Sequence, residues 1–391
     1  MRFLNRREMI LKTFGEEDPG GVVWQPRIEN WYDVNKAQGD LPERYQNMDL
    51  LEVYDDLDAS PRPYLIPYPS PEDLRGEEGW GGFCPQYAPP VIKIKSKGNV
   101  EGEIRKEEGE IIERWDTPKG RLTRRWKPPQ TSISARVHEY PIKDIEDLDT
   151  LEYILEDQQW EFDLDAWKEV KNRIGDRAPI AAIAGRAPLQ ELHMFFMPYE
   201  KAINRLLKSN PKKVKNFLKK ALELKSEAFD TLAESPVELI CLADNLDGRL
   251  LGPSLFEEHI LPYYQRYAPE LKDVGKLIYA HWDGSLRGIL NYAQDTKLHG
   301  LEALTPKPQG DVTLEEIKEA LGDNMVLLDG VPAQLFMPNE SEKALEKTVK
   351  KILNMFYPNI VLGISDELPP KANIERVKLV SEIVRDWNKK R

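Results

Sequence analysis

From about residue 150 onward, short apolar runs alternate with long amphipathic segments. The runs are residues 179–184 (PIAAIA), 237–243 (VELICLA), 277–280 (LIYA), 301–304 (LEAL), 325–328 (MVLL) and 360–364 (IVLGI). Short β-branched runs of this kind suit strands buried on both faces. The segments between them read as helices. One opens at Asn210-Pro211, a cap residue followed by proline at the first helical position. Its Val214, Phe217, Leu218, Ala221 and Leu222 then keep the i, i+3, i+4 spacing of one buried face. Another starts near Thr313, runs LEEIKEAL and stops at Gly322. Two earlier runs, 22–25 (VVWQ) and 50–54 (LLEVY), are further strand candidates. Eight strand-like runs separated mostly by helices predict an α/β fold, a closed (β/α)8 TIM barrel. The Gly-rich phosphate fingerprint of a dinucleotide-binding sheet is missing.

The first 150 residues are different. Residues 61–90 are dense in Pro and Gly, which predicts neither a regular helix nor a central strand. Residues 91–140 read as short extended segments with a turn at Thr117–Gly120, a small antiparallel insertion. The expected organisation is a single barrel domain over 1–391 with an N-terminal extension and a loop-rich and β insertion at 61–145. A chain of 391 residues accommodates this as one large domain.

Charge and composition narrow the partners. The chain has 55 basic and 67 acidic residues, a net charge of −12, which makes it a poor general ligand for nucleic acid. Lysines between Lys208 and Lys225 alternate with apolar residues and read as a solvated helix face. No stretch reaches the ~18 apolar residues of a membrane span, and the charged N-terminus lacks the apolar core of a secretory signal. The expected location is the cytoplasm. With only Cys84 and Cys241, neither a disulfide framework nor a cysteine zinc cage is expected.

In such barrels chemistry sits at the C-terminal ends of the strands. There the chain places Arg27, Glu29 and Trp31, then Asp244-Asn245, His281-Trp282-Asp283, Glu302, Asp329, and Ser365-Asp366-Glu367. Any one aspartate at such a point can be a helix cap. The informative feature is the concentration of carboxylates around one histidine. His281 and Asp283 are two apart, so in extended backbone they face the same way. They can serve as ligands of a divalent metal, or the carboxylate can orient a general acid–base histidine. Trp24, Trp31, Tyr32, Tyr64, Trp80, Phe83 and Tyr87 either anchor long loops or form an apolar wall for a flat substrate.

The order and spacing of several stretches carry a family likeness. They are NRREMILKTFGEEDPGGVVWQPR, IAGRAPLQEL, ICLADNLDGRLLGPSLFEEHILPYYQRYAPELKDVGKLIYAHWDG, DNMVLLDGVPAQLF and NIVLGISDELPPKANIERV. Together they resemble the uroporphyrinogen decarboxylase superfamily, which also contains corrinoid-dependent methyltransferases. In the decarboxylases an Arg-rich first loop holds the porphyrin carboxylates. The matching QPRIENWY keeps Arg27 and adds Glu29, the wrong charge for a tetra-acid. In the zinc methyltransferases a His-x-Cys and a later Cys bind the metal. The matching positions here are His281, Asp283 and Asp366, without the soft thiolates.

The chain looks most like the anaerobic O-demethylase branch. That resemblance implies methyl transfer from a methoxylated aromatic, a small aromatic methyl donor, to the Co(I) corrinoid (cobalamin) of a partner corrinoid protein. It implies His281, Asp283, Asp244 and Glu302 as catalytic groups. Arg27, Trp31, Tyr32, Asn245 and Asp329 would contact substrate, and His281, Asp283 and Asp366 would hold a divalent metal such as zinc if one is used. A homodimer is left open. The alternatives are another methyl donor (amine, thiol or halide) and a decarboxylase.

Overall fold

The computed structural model describes residues 4–69, 90–127, 136–202 and 207–391. Its strands in chain order are β1 (Tyr64–Leu65), β2 (Tyr68–Pro69), β3 (Ile92–Ser96), β4 (Glu101–Glu107), β5 (Glu110–Thr117), β6 (Gly120–Lys127), β7 (Arg136–Glu139), β8 (Gln158–Phe162), β9 (Ala181–Ile183), β10 (Leu239–Leu242), β11 (Leu277–His281), β12 (Gly300–Glu302), β13 (Val326–Pro332) and β14 (Ile360–Ser365). The chain separates into two compact units. One comprises 1–64, 171–182 and 237–391, the other 65–170 and 183–236.

The first unit carries a seven-stranded sheet in the order β1-β9-β10-β11-β12-β13-β14, with parallel pairing from β10 to β14. The stretch 22–25 closes the ring. Trp24 bridges Leu362 in parallel: Gln25 N–H donates to Leu362 O at 2.7 Å and Leu362 N–H to Val23 O at 3.0 Å. On the other side Ser60 N–H donates to Trp24 O at 2.9 Å. The expected TIM-barrel-like α/β fold is what the chain forms. Every residue of β10, β13 and β14 is buried, as strands covered on both faces require.

The second barrel position is a correction. Residues 50–54 are not a strand. They belong to helix Leu50–Asp56, whose N-cap Asp49 accepts from Glu52 N–H at 2.9 Å while Glu52 Oε2 accepts from Asp49 N–H at 2.7 Å. This reciprocal capping box outweighs the β-like run that follows it. The strand comes from the Pro-dense stretch instead, where β1 joins the barrel sheet. Proline costs a strand only its donor, and Pro63 still accepts from Ala181 N–H at 3.0 Å.

The second unit holds the antiparallel meander β4-β5-β6-β7, with the Thr117–Gly120 turn joining β5 to β6. A separate three-stranded sheet, β2-β3-β8, runs beyond the single insertion expected, because β3 pairs antiparallel with β8 far along the chain. The helix Pro211–Leu224 buries Val214, Phe217, Leu218 and Ala221. Its basic face is engaged locally: Lys213 lies 2.9 Å from Asp149 and Lys220 2.9 Å from Glu156. Trp80, Phe83, Cys84 and Tyr87 lie outside the described residues. Among the described residues no helix is long and apolar enough to cross a membrane.

His299 ties β12 to β11 with both its groups. Its N–H donates to Ile278 O at 2.9 Å, and its Nδ1 accepts from Ile278 N–H at 3.0 Å. Burial, reinforced by Lys272, pushes its pKa down to about 4. The native state therefore disfavours the imidazolium, and between pH 6.5 and 4 the unfolded chain binds the extra proton. Native stability should fall as the pH drops through that window. His299→Gln should flatten the fall in urea denaturation series taken at pH 7, 5.5 and 4.5. His299→Ala should cost about 1–3 kcal/mol at pH 7 by leaving the Ile278 amide unpaired.

Candidate active site

The first unit brings a set of ionisable side chains to the C-terminal ends of its strands. Register does much of this. β11 and β12 pair so that His281 stands directly opposite Glu302. β13 and β14 pair Asp329 with Leu362 and Gly330 with Gly363. Arg27 follows the 22–25 stretch, and Arg62 precedes β1.

Glu302 is the hub. It is fully buried. Its Oε1 accepts from Arg62 Nη1 at 2.8 Å and from the Tyr64 hydroxyl at 2.7 Å. Arg27 Nη1 lies 3.7 Å away and His281 Nδ1 3.6 Å away. The Cys241 thiol approaches Oε2 at 3.8 Å. Burial alone would raise the Glu302 pKa, but Arg62, His281 and Arg27 outweigh it and hold the carboxyl well below the usual carboxylate range.

Both guanidiniums are engaged by protein carboxylates. Arg62 donates to both oxygens of Asp329, at 3.1 Å to Oδ2, and to the side chain and backbone oxygens of Gln25 at 3.1 and 3.0 Å. Arg27 pairs with Asp366 through Nη1 and with Glu367 at 2.7 Å through Nη2. Burial pushes Asp329 up to about 6, against the pull of Arg62 and with the push of Glu302. Burial likewise lifts Glu367 to about 7 against Arg27, with Asp366 adding to the rise.

His281 occupies the middle. Burial alone would lower its pKa, but Asp366 and Glu302 lift it to about 9. Its Nε2 lies 3.9 Å from Asp366 Oδ1, and one ligand atom each from His281, Asp283 and Asp366 lie within 4.8 Å of one another. Asp283 is raised by burial against the pull of His281. The donor set, one imidazole nitrogen and two partly exposed carboxylates, fits a divalent cation of hard or borderline character. Glu302 facing Nδ1 gives the carboxylate–histidine support that metal-binding imidazoles have.

Non-glycine residues with left-handed backbone cluster at this ring. Asp329 has φ +94°, Ala303, next to Glu302, has +66°, and Asn245 has +52°. Such conformations cost ~1–3 kcal/mol each and gather at functional sites.

Of the residues singled out from sequence, His281, Asp283, Asp366, Glu302, Arg27 and Asp329 come together. Asp244 is held by Tyr264. It is fully buried and accepts from the Tyr264 hydroxyl at 2.7 Å, which in turn accepts from Trp282 Nε1 at 3.0 Å. Asn245 is exposed, and its backbone N–H holds the His281 carbonyl at 3.1 Å. Trp31 and Tyr32 are buried on the helix Glu29–Gln38: Trp31 packs edge-on against Tyr45, and the Tyr32 hydroxyl donates to Met48 O at 2.6 Å. Trp24 stacks on Phe336 and donates to Val377 O, so it is core. Arg62 and Gln25 are members that sequence reasoning passes over, and Glu367, placed on the rim beside Asp366, joins them. Arg62 stands in Pro61-Arg62-Pro63, and its only signal is a cation in a stretch too proline-rich to read as strand.

The comparisons with known proteins agree with this architecture. The family model for uroporphyrinogen decarboxylase (URO-D) matches residues 127–387, more than half of the chain. The chain belongs to the uroporphyrinogen decarboxylase family. The uroporphyrinogen decarboxylase of Geobacter sp. (strain M21) is 23% identical over 256 residues, covering 63% of this chain and 72% of the relative. That of Geotalea uraniireducens (strain Rf4) is 22% identical over 262 residues, covering 64% and 74%. Among solved structures, a methyltransferase from Methanosarcina mazei superposes with a TM-score of 0.61 at 16% identity, covering 98% of this chain and 99% of its own. At that identity the likeness is one of fold.

Gly363 makes room for the Arg62–Asp329 pair. A Cβ there would overlap Asp329 Oδ1 and lie 2.8 Å from Arg62 Nη2 and 2.9 Å from Gln25 O. Gly363→Ala should therefore push the pair apart, and Arg62→Met should leave two buried carboxylates facing each other. Breaking a buried pair by removing one partner costs ~3–5 kcal/mol. Urea midpoints of both variants should fall by amounts of that order, whereas an exposed control such as Arg249→Met should stay near the parent value.

Proposed function

We propose that this chain is a methyltransferase of the family that moves the methyl group of a methoxylated aromatic to the Co(I) corrinoid of a partner protein. The observation that carries the reading is the environment of His281. Its imidazole stands among Glu302, Asp366 and Asp283, while both nearby guanidiniums are tied to protein carboxylates. A porphyrin tetra-acid needs free cations to bind its carboxylates, and Arg27 and Arg62 are not free.

Demethylating an aryl ether poses a different demand. The C–O bond breaks, its electron pair goes to the aryl oxygen, and the methyl carbon goes to the corrinoid acceptor. Phenolate is a poor leaving group unless its charge is met as it forms. His281 Nε2–H, on the Asp366 side of the ring, donates the proton to that oxygen. Glu302 holds Nδ1–H on the other side and stabilises the imidazolium beforehand. Asp366 and Asp283 fix the ring plane and accept the substrate's remaining polar hydrogens. Arg27 holds Asp366 in place. If a divalent cation is used, His281, Asp283 and Asp366 would hold it, and it would supply Lewis acidity at the departing oxygen.

The soft methyl donors are less well served. Thiol and halide donors favour thiolate–zinc centres, and Cys241 is buried against Glu302 rather than beside His281.

The test mixes the protein with a Co(I) corrinoid protein and a panel of methoxylated aromatics, and follows the visible spectrum of the corrinoid for methylation. Transfer that requires both the protein and one aryl ether is the expected result. His281→Gln should lower the rate by about 10²–10⁴-fold with an unchanged far-ultraviolet circular dichroism spectrum. Transfer only from amines or halides, or carbon dioxide release from an aromatic acid, would replace the reading.

A further inference from the structure

Glu29 opens the helix Glu29–Gln38 two residues after Arg27, and it is buried. Its Oε2 and the Oδ1 of Asn30 are both buried without a hydrogen-bond partner. The other oxygen, Oε1, lies 2.9 Å from the Tyr54 hydroxyl. That hydroxyl also lies 2.8 Å from the Pro26 carbonyl and accepts from Ile28 N–H at 3.2 Å. A phenol has one hydrogen, and the Pro26 carbonyl can only accept. If Tyr54 gives its hydrogen to Pro26, the hydrogen between Glu29 and Tyr54 is carried by Glu29. Burial, which raises the Glu29 pKa, favours the same neutral form. Oε2 is then the carbonyl oxygen of a carboxylic acid, an acceptor in want of a donor.

The electrostatics around it point the same way. The two guanidiniums beside Glu302 are both occupied by protein carboxylates: Arg27 by Asp366 and Glu367, Arg62 by Glu302 and Asp329. A substrate carboxylate would add a further negative charge to a ring already rich in them. A hydroxyl adds none and brings the missing hydrogen.

We infer that the ring this site takes carries a free hydroxyl and no carboxylate, and that Glu29, with Asn30 beside it, sets the choice by accepting the hydroxyl hydrogen. The inference rests on the aromatic methyl-donor reading above and names its substrate more narrowly.

The test is titration calorimetry of the full chain with a matched pair, a methoxyphenol and the methoxybenzoate with carboxylate in place of hydroxyl. The parent should bind the phenol at least tenfold more tightly. Glu29→Gln, which mimics the neutral acid, should keep that preference, and Glu29→Met should reduce it about tenfold. Circular dichroism checks that each variant is folded. Equal or tighter binding of the benzoate overturns the inference while the methoxylated-aromatic reading stands. So does an undiminished preference in a folded Glu29→Met, or its loss in a folded Glu29→Gln. Binding of neither ring overturns both together.

Discussion

A carboxylate with no access to water has to be surrounded by donors, and Glu302 is surrounded. Arg62, Tyr64, Arg27 and His281 all converge on one oxygen of a side chain at the end of a three-residue strand. Removing an isolated ion from water costs several kcal/mol, so each of these partners is tied to its position by the penalty of leaving Glu302 alone. The same constraint propagates outward. Arg62 needs Asp329 and Gln25, Arg27 needs Asp366 and Glu367, and the glycine at 363 leaves the space for the first of these pairs. The strand order of the barrel and the polarity of its mouth are thus linked through one buried charge.

That link explains what could be read along the chain and what could not. The strands β10 to β14 are legible because both faces are buried, and buried parallel strands show as continuous apolar runs. His281, Glu302, Asp329 and Asp366 are legible because each stands at or near the end of such a run. The second barrel position is not. LLEVY has the residues of a strand, yet the capping box of Asp49 and Glu52 just before and inside it decides for helix. The true strand is short and flanked by prolines, and it is held by backbone acceptors and by partners distant in the chain. Arg62 disappears from view with it. Trp31 and Tyr32 follow Arg27 at the rim, but they lie on a helix whose buried face turns them into the core. Aromatic content near a barrel mouth does not tell which way a helix faces.

A shared fold carries more than one named chemistry among the proteins this chain resembles, and the backbone alone does not separate them. The relatives named for porphyrinogen decarboxylation and the solved methyltransferase both match this barrel. Arginine at the first strand is common to the decarboxylase pattern and to this chain, but its role depends on what it touches. An arginine open to the cavity is a receptor for a substrate carboxylate. One already paired with Asp366 and Glu367 acts through those side chains, fixing their direction beside His281. After the last strand two consecutive carboxylates, Asp366 and Glu367, meet the guanidinium. Under the function proposed above, the site handles a proton at a leaving oxygen instead of binding acids. Asp283 and Asp366 on one side of His281 and Glu302 on the other favour the imidazolium.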